Sequence, residues 1–340
     1  MSTKNQRFIL AARPQGLPGR EHLHLEETEV PVPRDGQALL RTLYLSLDPY
    51  MRGRMSDARS YAKPVEIGQT MVGATVAEVV ESRSTAVRAG DIVLAYGGWQ
   101  TFSVQPADTL RVLDASVAPV TTALGVLGMP GFTAYSGLLA IGRPQPGETV
   151  AVAAATGPVG LTVGQIARLK GARAIGIAGG PKKTALLEQV GFDAALDHRE
   201  PDLRGRLKAA APQGIDVYFE NVAGPVWWDA VLPRLNTFAR VPVCGLAAQY
   251  NGVDHPTPAG TGERLMNAVL TRSLTLRGFI QSEFVESMEA DFLREMTEWV
   301  ASGRVKYHED ITDGFEHTPE VFAGMLQGKN FGKTIIHVAD

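Results

Sequence analysis

The chain has 340 residues, of which 44% are hydrophobic and 20% are charged, and its formal net charge is −3 at pH 7. This length is sufficient for two domains with a large buried core, and the charge gives no electrostatic reason to expect binding to nucleic acid or to a membrane surface. The N-terminal stretch MSTKNQRFILAARPQG lacks the apolar run of a signal peptide, and no segment approaches a transmembrane span, so we expect a cytoplasmic protein. Cys244 is the single cysteine, which excludes intrachain disulfides and cysteine-rich zinc sites.

The N-terminal third of the chain contains short runs of strand-forming residues that are interrupted by Pro and Gly. Because helical periodicity is rare there, this texture predicts a mostly-β domain. The runs are HLHLEETEVP, GQALLRTLYLSLDP, MVGATVAEVVES, GDIVLAYGG and QTFSVQ.

From Gly131 onward, apolar strands alternate with amphipathic stretches, which predicts a doubly wound parallel sheet with helices on both faces. The predicted strands are ETVAVAAA, ARAIGIAG, AALD, IDVYFENV, FARVPVCG and SLTLRGFI. The predicted helices are Val159–Lys170, Lys182–Val190, Asp202–Ala211, Trp227–Leu235 and Ser282–Ser302. The C-terminal stretch GKNFGKTIIHVAD predicts one more strand, which we expect to pair with the first domain.

The segment VAAATGPVGLTVGQIARLKG, residues 152–171, has the strand–turn–helix context of a dinucleotide-binding motif, G-x-G-x-x-G. Ala155 occupies the place of the first glycine, while Gly157 and Gly160 occupy the other two. Gly157 would let the backbone approach a pyrophosphate, and Gly160 would let the helix pack closely on the strand. Ala155 is compatible with this function if its position does not need a positive φ. A glycine turn that serves only packing is the alternative.

The next strand ends in IAGGPKK, where an NAD-binding site normally carries an acidic residue for the ribose 2′-hydroxyl. An acid would repel a 2′-phosphate, whereas Lys182 and Lys183 at the start of a helix would attract one. The sequence therefore favours NADPH over NADH. A solvated lysine pair is the alternative interpretation.

The order of these domains, with a tail that returns to the first, resembles the medium-chain dehydrogenase/reductase superfamily over essentially the whole chain. Many members bind a catalytic zinc through Cys, His and Glu and a structural zinc through four Cys. Here GQTMVG, residues 68–73, stands where zinc-binding members have Gly-His-Glu, and one cysteine cannot supply four ligands. His22 and His24 have ligand-like spacing but no third ligand nearby, so we interpret them as surface residues. We expect no metal.

Several strings resemble the leukotriene B4 12-hydroxydehydrogenase/prostaglandin reductase group, which includes alkenal double-bond reductases and bacterial curcumin reductases. They are LSLDPYMRGRM, GMPGFTAYSGLL, AATGPVG, GIAGGPKK, YFENVAG, CGLAAQYN, RGFI and GKNFGKTII. The resemblance implies a GroES-like substrate domain over residues 1–127 and 311–340 and a Rossmann NADPH-binding domain over residues 128–310. It also implies NADPH-dependent reduction of the C=C bond of α,β-unsaturated aldehydes and ketones.

The resemblance carries roles to individual residues of this sequence. It implies a pyrophosphate turn at Gly157, Pro158, Val159 and Gly160 and a 2′-phosphate contact at Lys183. It implies further cofactor contacts at Gly179, Asn221, Cys244, Phe279 and Asn330, and it places Tyr250 beside the nicotinamide and the substrate carbonyl. One departure is that His198 and Arg199 stand where many members have Tyr-Lys. The hydrogen bond from the tyrosine hydroxyl to the 2′-phosphate is then lost. We expect a contact from a cationic side chain to replace it.

Conjugate reduction of an enone needs no Lewis acid, because one or two well-aimed donors can stabilise the enolate oxygen that forms when hydride adds to the β-carbon. The candidate donors are the Tyr250 hydroxyl and a ribose hydroxyl of the cofactor. Tyr250 begins the Gly/Pro-rich stretch YNGVDHPTPAGTG, which is typical of a flexible lid. Tyr50 is a candidate for the acceptor pocket. Packing is the alternative for both tyrosines, and we assign no role to Arg52.

Two other functions stay open at this point. One is a quinone reductase with the same cofactor, and the other is a non-catalytic NADPH-binding structural or regulatory protein.

The strand SLTLRGFI would leave an exposed sheet edge unless it is paired. Since the corresponding edge pairs across a two-fold axis in the superfamily, we expect a homodimer. The other expected partner is a small enone or enal, bound as substrate.

Overall fold

The computed structural model describes residues 4–252 and 260–339. Within them the chain divides into two compact units. The first unit contains the residues up to Gly125, the short segment Tyr250–Gly252 and the residues from Glu309 onward. The second unit contains Val126–Gln249 and, after the residues that are not described, the chain up to His308.

The N-terminal part of the first unit consists mainly of strands, and this confirms the predicted mostly-β domain. The strands are β1 (Lys4–Leu10), β2 (Leu23–Glu29), β3 (Gln37–Ser46), β4 (Thr75–Ser82), β5 (Ile92–Ala95), β6 (Phe102–Pro106) and β7 (Arg111–Val112). A short helix, α1 (Tyr50–Arg54), follows β3. Strands β1 and β2 form an antiparallel pair, and β3 pairs antiparallel with both β4 and β6.

The second unit alternates strands and helices. Its strands are β8 (Thr149–Ala153), β9 (Arg173–Ala178), β10 (Ala194–Asp197), β11 (Ile215–Phe219), β12 (Leu235–Val243) and β13 (Thr275–Gly278). Its helices are α2 (Met129–Ser136), α3 (Pro158–Leu169), α4 (Pro181–Gln189), α5 (Leu203–Ala210), α6 (Thr261–Arg272) and α7 (Val285–Ala301). The strands form one parallel sheet in the order β10-β9-β8-β11-β12-β13. The predicted fold class is confirmed.

The C-terminal stretch returns to the first unit as predicted. It forms β14 (Glu309–Asp313), α8 (Thr318–Leu326) and β15 (Lys333–His337). Strand β15 pairs antiparallel with β3 and parallel with β14. The rings of Phe8, Trp99 and Phe322 form an edge-to-face chain that packs α8 against the N-terminal strands, with centroid distances of 6.3 and 5.3 Å. Burial of these aromatic rings therefore holds the tail to the strands.

One predicted helix of the second unit differs from the structure, and two of the helices described there were not predicted. The predicted helix Trp227–Leu235 is a π-helical turn over Val226–Val231 followed by a 3₁₀ turn, and Leu235 already begins β12. Pro233 explains the change, because proline cannot donate the backbone hydrogen bond that a continuing helix needs. Helix α2 was not predicted, because nearly all of its residues are buried and it has no polar face. Helix α6 was not predicted because Met266 and Leu270 are exposed and blur its apolar face.

The parallel sheet explains the nearly continuous apolar runs of the sequence. Ala151, Ile175 and Val241 at its centre are fully buried, since helices cover both of its faces. All its strands run in the same direction, so their carboxyl ends lie along one edge. In an open α/β sheet this edge is the place where ligands bind.

Candidate functional site

The turn between β8 and α3 has the backbone conformation that the glycine motif predicts. Ala155 is fully buried and does not adopt a positive φ, whereas the preceding Ala154 does, at φ +50°. The condition under which alanine is compatible with the first glycine position is therefore met. Gly157 caps α3 in an extended conformation, and Pro158 is the first helical residue, with Val159 next to it. The first-turn N–H groups of α3 have no partner inside the helix and can bind an anion.

The two glycines of this turn, Gly157 and Gly160, have different structural roles. A Cβ atom on Gly160 would lie 2.6 Å from the Ala154 carbonyl oxygen and 2.7 Å from the Ala155 Cα, so the helix packs on the turn only because this residue is glycine. A Cβ atom on Gly157 would meet the Ala154 oxygen alone, at 3.3 Å. Gly160 is therefore a packing residue, and Gly157 leaves open space over the turn.

A basic cluster lies at the neighbouring strand ends. Gly179 follows β9, and a Cβ atom on it would stand 2.8 Å from both Arg199 Nε and His198 Nε2, which follow β10. Burial lowers the pKa of the His198 imidazole, and the positive charges of Arg199 and Lys183 lower that pKa further. Lys183 lies in the first turn of α4. The structure thus brings together Lys183 and Arg199, the cations that the sequence associated with a 2′-phosphate.

Asp197 orders this basic cluster, and sequence reasoning missed it. Its carboxylate is buried at the end of β10 and accepts the backbone N–H of Arg199 at 2.9 Å. Burial opposes its charge, but hydrogen bonds from the N–H groups of Gly180 and Arg199 hold the pKa of Asp197 below its usual value. The signal in the sequence was the position of Asp197, an acidic residue at the end of the otherwise apolar strand AALD.

Asn221 and Cys244 are brought together where β11 and β12 end. The Cys244 thiol donates to Asn221 Oδ1 at 2.8 Å, and Asn221 Nδ2 donates to the Ala153 carbonyl oxygen at 3.1 Å. Burial raises the pKa of the Cys244 thiol, and the nearby Glu220 carboxylate raises it further, so the thiol keeps its proton and its donor role. These contacts join the ends of β8, β11 and β12, next to the turn that precedes α3.

Phe279 follows β13, and its side chain belongs to the hydrophobic core. Its ring is buried and packs edge-to-face on Phe219, with a centroid distance of 6.1 Å. Its backbone N–H donates to the Val243 carbonyl oxygen at 3.2 Å. A cofactor contact at this position would therefore go through the backbone.

The first unit holds the two candidate tyrosines and Asn330. Tyr50 begins α1, is partly buried, and packs on the cluster that contains Phe8 and Trp99. Burial raises the pKa of its hydroxyl, and the Asp48 carboxylate raises it further, so the hydroxyl stays protonated and can donate a hydrogen bond. Asn330 precedes β15, and its Nδ2 donates to the Gly332 carbonyl oxygen at 2.9 Å.

Tyr250 follows a 3₁₀ turn over Ala247–Gln249 and is partly exposed. The segment Tyr250–Gly252 belongs to the first unit, where the Asn251 carbonyl oxygen lies next to Gly16. Most of the stretch that we interpreted as a lid, residues 253–259, lies outside the described residues.

Among residues 4–252 and 260–339, no group of three or more His, Cys, Asp or Glu side chains is placed to hold a metal ion. No helix there has the length and apolar character that a membrane span needs.

The chain matches known protein families over most of its length. Residues 6–113 match the family described as the N-terminal domain of oxidoreductase, and residues 158–301 match the family described as zinc-binding dehydrogenase. The NADPH-dependent curcumin reductase of Escherichia coli (strain K12) is 52% identical over 337 residues, which cover 99% of this chain and 97% of that protein. Prostaglandin reductase 1 of Rattus norvegicus is 41% identical over 326 residues, which cover 95% of each.

Solved structures agree with these sequence matches. The crystal structure of CurA in complex with NADPH from Vibrio vulnificus is 46% identical, covers 98% of this chain and 99% of that chain, and superimposes with a TM-score of 0.93. A quinone oxidoreductase from Escherichia coli complexed with NADPH is 19% identical with a TM-score of 0.77, which indicates a shared fold alone.

Proposed function

The chain belongs to the zinc-independent reductases of the medium-chain dehydrogenase/reductase superfamily, in the group of the curcumin and prostaglandin reductases, and we propose that it reduces the C=C bond of α,β-unsaturated aldehydes and ketones with NADPH. The observation that carries the proposal is the full-length similarity to an NADPH-dependent curcumin reductase. The glycine turn before α3 and the basic cluster around Arg199 support it.

The residues of the second unit fit NADPH. In our proposal Gly157, Pro158, Val159 and Gly160 form the pyrophosphate turn: the backbone N–H groups of Val159 and Gly160 bind the anion, and Pro158, which has no N–H, begins the helix. Lys183 and Arg199 hold the 2′-phosphate, and the compact Gly179 lets the phosphate approach them. When bound, NADPH supplies the hydride for the β-carbon of the acceptor and a ribose hydroxyl that can share the developing negative charge. Asn221, Cys244, Phe279 and Asn330 complete the proposed set of cofactor contacts.

The first unit supplies the acceptor side of the reaction in this proposal. Negative charge develops on the carbonyl oxygen of the acceptor as hydride adds to the β-carbon, and the Tyr250 hydroxyl donates a hydrogen bond to that oxygen. A proton from solvent then adds to the α-carbon, which discharges the enolate and gives the saturated product. Tyr50 lines the acceptor pocket with a phenol that burial keeps protonated. A neutral donor suits this step, because its hydrogen bond strengthens only as the charge appears.

Strand β13 supports a proposed homodimer. It lies at the edge of the parallel sheet, and Thr275, Arg277 and Gly278 are exposed along it. An unpaired edge of this kind is a site for strand addition. We expect the mass of a dimer in light scattering at micromolar concentration, and a monomer mass would contradict the pairing. The cytoplasmic location stays a prediction from the sequence.

A screen of NADPH oxidation over four classes of acceptor tests the proposed function. The classes are 2-alkenals, cyclic enones, curcumin-like dienones and quinones, each assayed with NADPH and with NADH. We expect turnover of enals and enones with a preference for NADPH. A much higher kcat/KM for quinones would identify a quinone reductase instead. Tight NADPH binding without turnover of any acceptor would identify a non-catalytic protein.

A further inference from the structure

Arg52 carries a buried positive charge that the proposed chemistry does not use. The residue is 5% exposed, and its guanidinium donates to backbone: Nε and Nη2 to the Gly16 carbonyl oxygen at 3.2 and 2.9 Å, and Nη2 to that of Pro14 at 3.0 Å. In the parts of the chain that the structure describes, it forms no ion pair with a carboxylate. Burial lowers its pKa.

Stability alone does not explain this residue. A buried cation without a counter-ion keeps a desolvation penalty that a packed apolar side chain of similar volume would avoid. What a guanidinium offers is a rigid planar fork, which fixes two carbonyl groups at a set distance and angle. The arrangement therefore points to Arg52 holding a piece of backbone in place.

The backbone that Arg52 holds is the loop Pro14–Gly16. Arg13, at the start of the same loop, donates to the carbonyl oxygens of Met55 and Val65, both at 3.2 Å. The loop is thus bound to α1 and to the chain after it by two arginines. Gly16 has φ +92°, a conformation that favours glycine.

The other side of this loop faces the segment that contains Tyr250. The Asn251 carbonyl oxygen is the one neighbour within 4 Å of the place where a Gly16 Cβ would stand, at 4.0 Å. Asn251 directly follows Tyr250 in the chain, and α1 begins with Tyr50. The loop that Arg52 binds to the helix carrying Tyr50 therefore passes beside the segment that carries Tyr250.

We propose that Arg52 is a positioning residue: by holding the loop Pro14–Gly16 on α1, it fixes the segment Tyr250–Gly252 so that the Tyr250 hydroxyl meets the acceptor carbonyl. The inference rests on the proposed role of Tyr250. Displacement of a catalytic group by about 1 Å can cost up to about 100-fold in rate, so loosening this loop should slow the reduction step without touching the cofactor site.

A double-mutant cycle tests the proposal with wild type, Arg52→Gln, Tyr250→Phe and the double variant. We expect Arg52→Gln to lower kcat with an enone by about 5- to 20-fold and to leave the Kd for NADPH unchanged. In the Tyr250→Phe background, which has no hydroxyl to misplace, the same change should lower kcat by less than about 2-fold. Arg41→Gln is the matched control, because Arg41 on β3 binds Glu78 at 2.8 Å, away from the loop.

Two further variants cover the case in which Arg52→Gln does not fold. Gly16→Ala disturbs the loop while Arg52 is intact. It should also lower kcat with an enone, and this loss should be much smaller in the Tyr250→Phe background. Arg52→Lys keeps the charge but not the fork, and its kcat should lie between those of wild type and Arg52→Gln. Equal losses with and without the Tyr250 hydroxyl, or an unchanged kcat in Arg52→Gln, would overturn the proposal. An unchanged kcat in Tyr250→Phe alone would overturn it together with the role of Tyr250, while enone reduction by the wild type would still stand.

Discussion

The residues proposed to hold the cofactor and those proposed to act on the acceptor handle negative charge in different ways. The second unit uses permanent cations, Lys183 and Arg199, with a glycine turn at a helix start. The first unit uses tyrosine hydroxyls, and burial raises the pKa of Tyr50 so that it stays neutral. The phosphates of a dinucleotide are always charged, whereas an enolate oxygen is charged only during the reaction. In the proposed function, fixed charge therefore serves cofactor binding and neutral donors serve turnover.

The largest effect that we predict concerns the glycine turn. Gly160→Ala forces a Cβ atom to within 2.6 Å of backbone, where nothing flexible can move aside. We expect a loss of about 3 kcal/mol in the free energy of unfolding and a Tm that is lower by roughly 6–12 °C. Gly157→Ala is the matched control, and it should leave the Tm nearly unchanged while weakening NADPH binding. The same Tm for both variants would contradict the separate roles of the two glycines.

The second prediction concerns the neutral donor. Tyr250→Phe keeps the ring and removes the hydroxyl, and loss of a fully preorganised oxyanion donor costs roughly 100- to 1,000-fold in rate. Because a cofactor ribose hydroxyl would remain, we expect a smaller loss in kcat with enones, on the order of 10- to 100-fold.

The control for this variant is the Kd for NADPH, measured by fluorescence titration, which should hardly change. If kcat is unaffected while folding and cofactor binding are intact, the donor is another group, and Tyr50→Phe becomes the next variant to measure.

The third prediction concerns the permanent cations. A charge-assisted hydrogen bond contributes about 1.5–3 kcal/mol, so Lys183→Ala should weaken NADPH binding by about one order of magnitude, and by at most two. The lower value is expected because Arg199 and Lys182 can share the phosphate. NADH, which lacks the 2′-phosphate, should bind as before. Equal losses for both cofactors would indicate that Lys183 acts through the structure of the loop.

The smallest effect that we predict is the pH dependence of His198. Its pKa in the folded state lies below the unfolded value because burial and Arg199 disfavour the imidazolium. Below the unfolded pKa, near pH 6.5, the unfolded chain binds a proton that the folded chain rejects, so stability falls as the pH decreases. The Tm of wild type should therefore fall more between pH 7.5 and pH 5.5 than that of His198→Asn. If the Tm falls equally in wild type and in His198→Asn, the pKa of His198 is not lowered by burial and the neighbouring cations.

The sequence predicted the parts of the molecule in which one local pattern has one structural meaning. Apolar strands alternating with helices predicted the parallel sheet, and the strings around Gly157 and Lys183 predicted its ligand-binding edge. The structure confirms the parallel sheet and brings Asn221 and Cys244 together. The homodimer and the individual cofactor contacts stay predictions.

The sequence did not predict features that depend on contacts between distant segments. The Asp197 carboxylate matters because two loops donate to it, and the Arg52 guanidinium matters because a loop 36 residues earlier in the chain lies against it. Helix α2 escaped prediction because burial on all sides removes the amphipathic period. In each case the information lies in tertiary packing, which no local window of sequence contains.

The most direct test of the account is to follow the hydride itself. A simple enone is reduced with NADPH that carries deuterium at the transferable C4 position, and the product is analysed by NMR. We predict a saturated ketone with deuterium on the former β-carbon. An allylic alcohol with deuterium on the former carbonyl carbon would contradict the account.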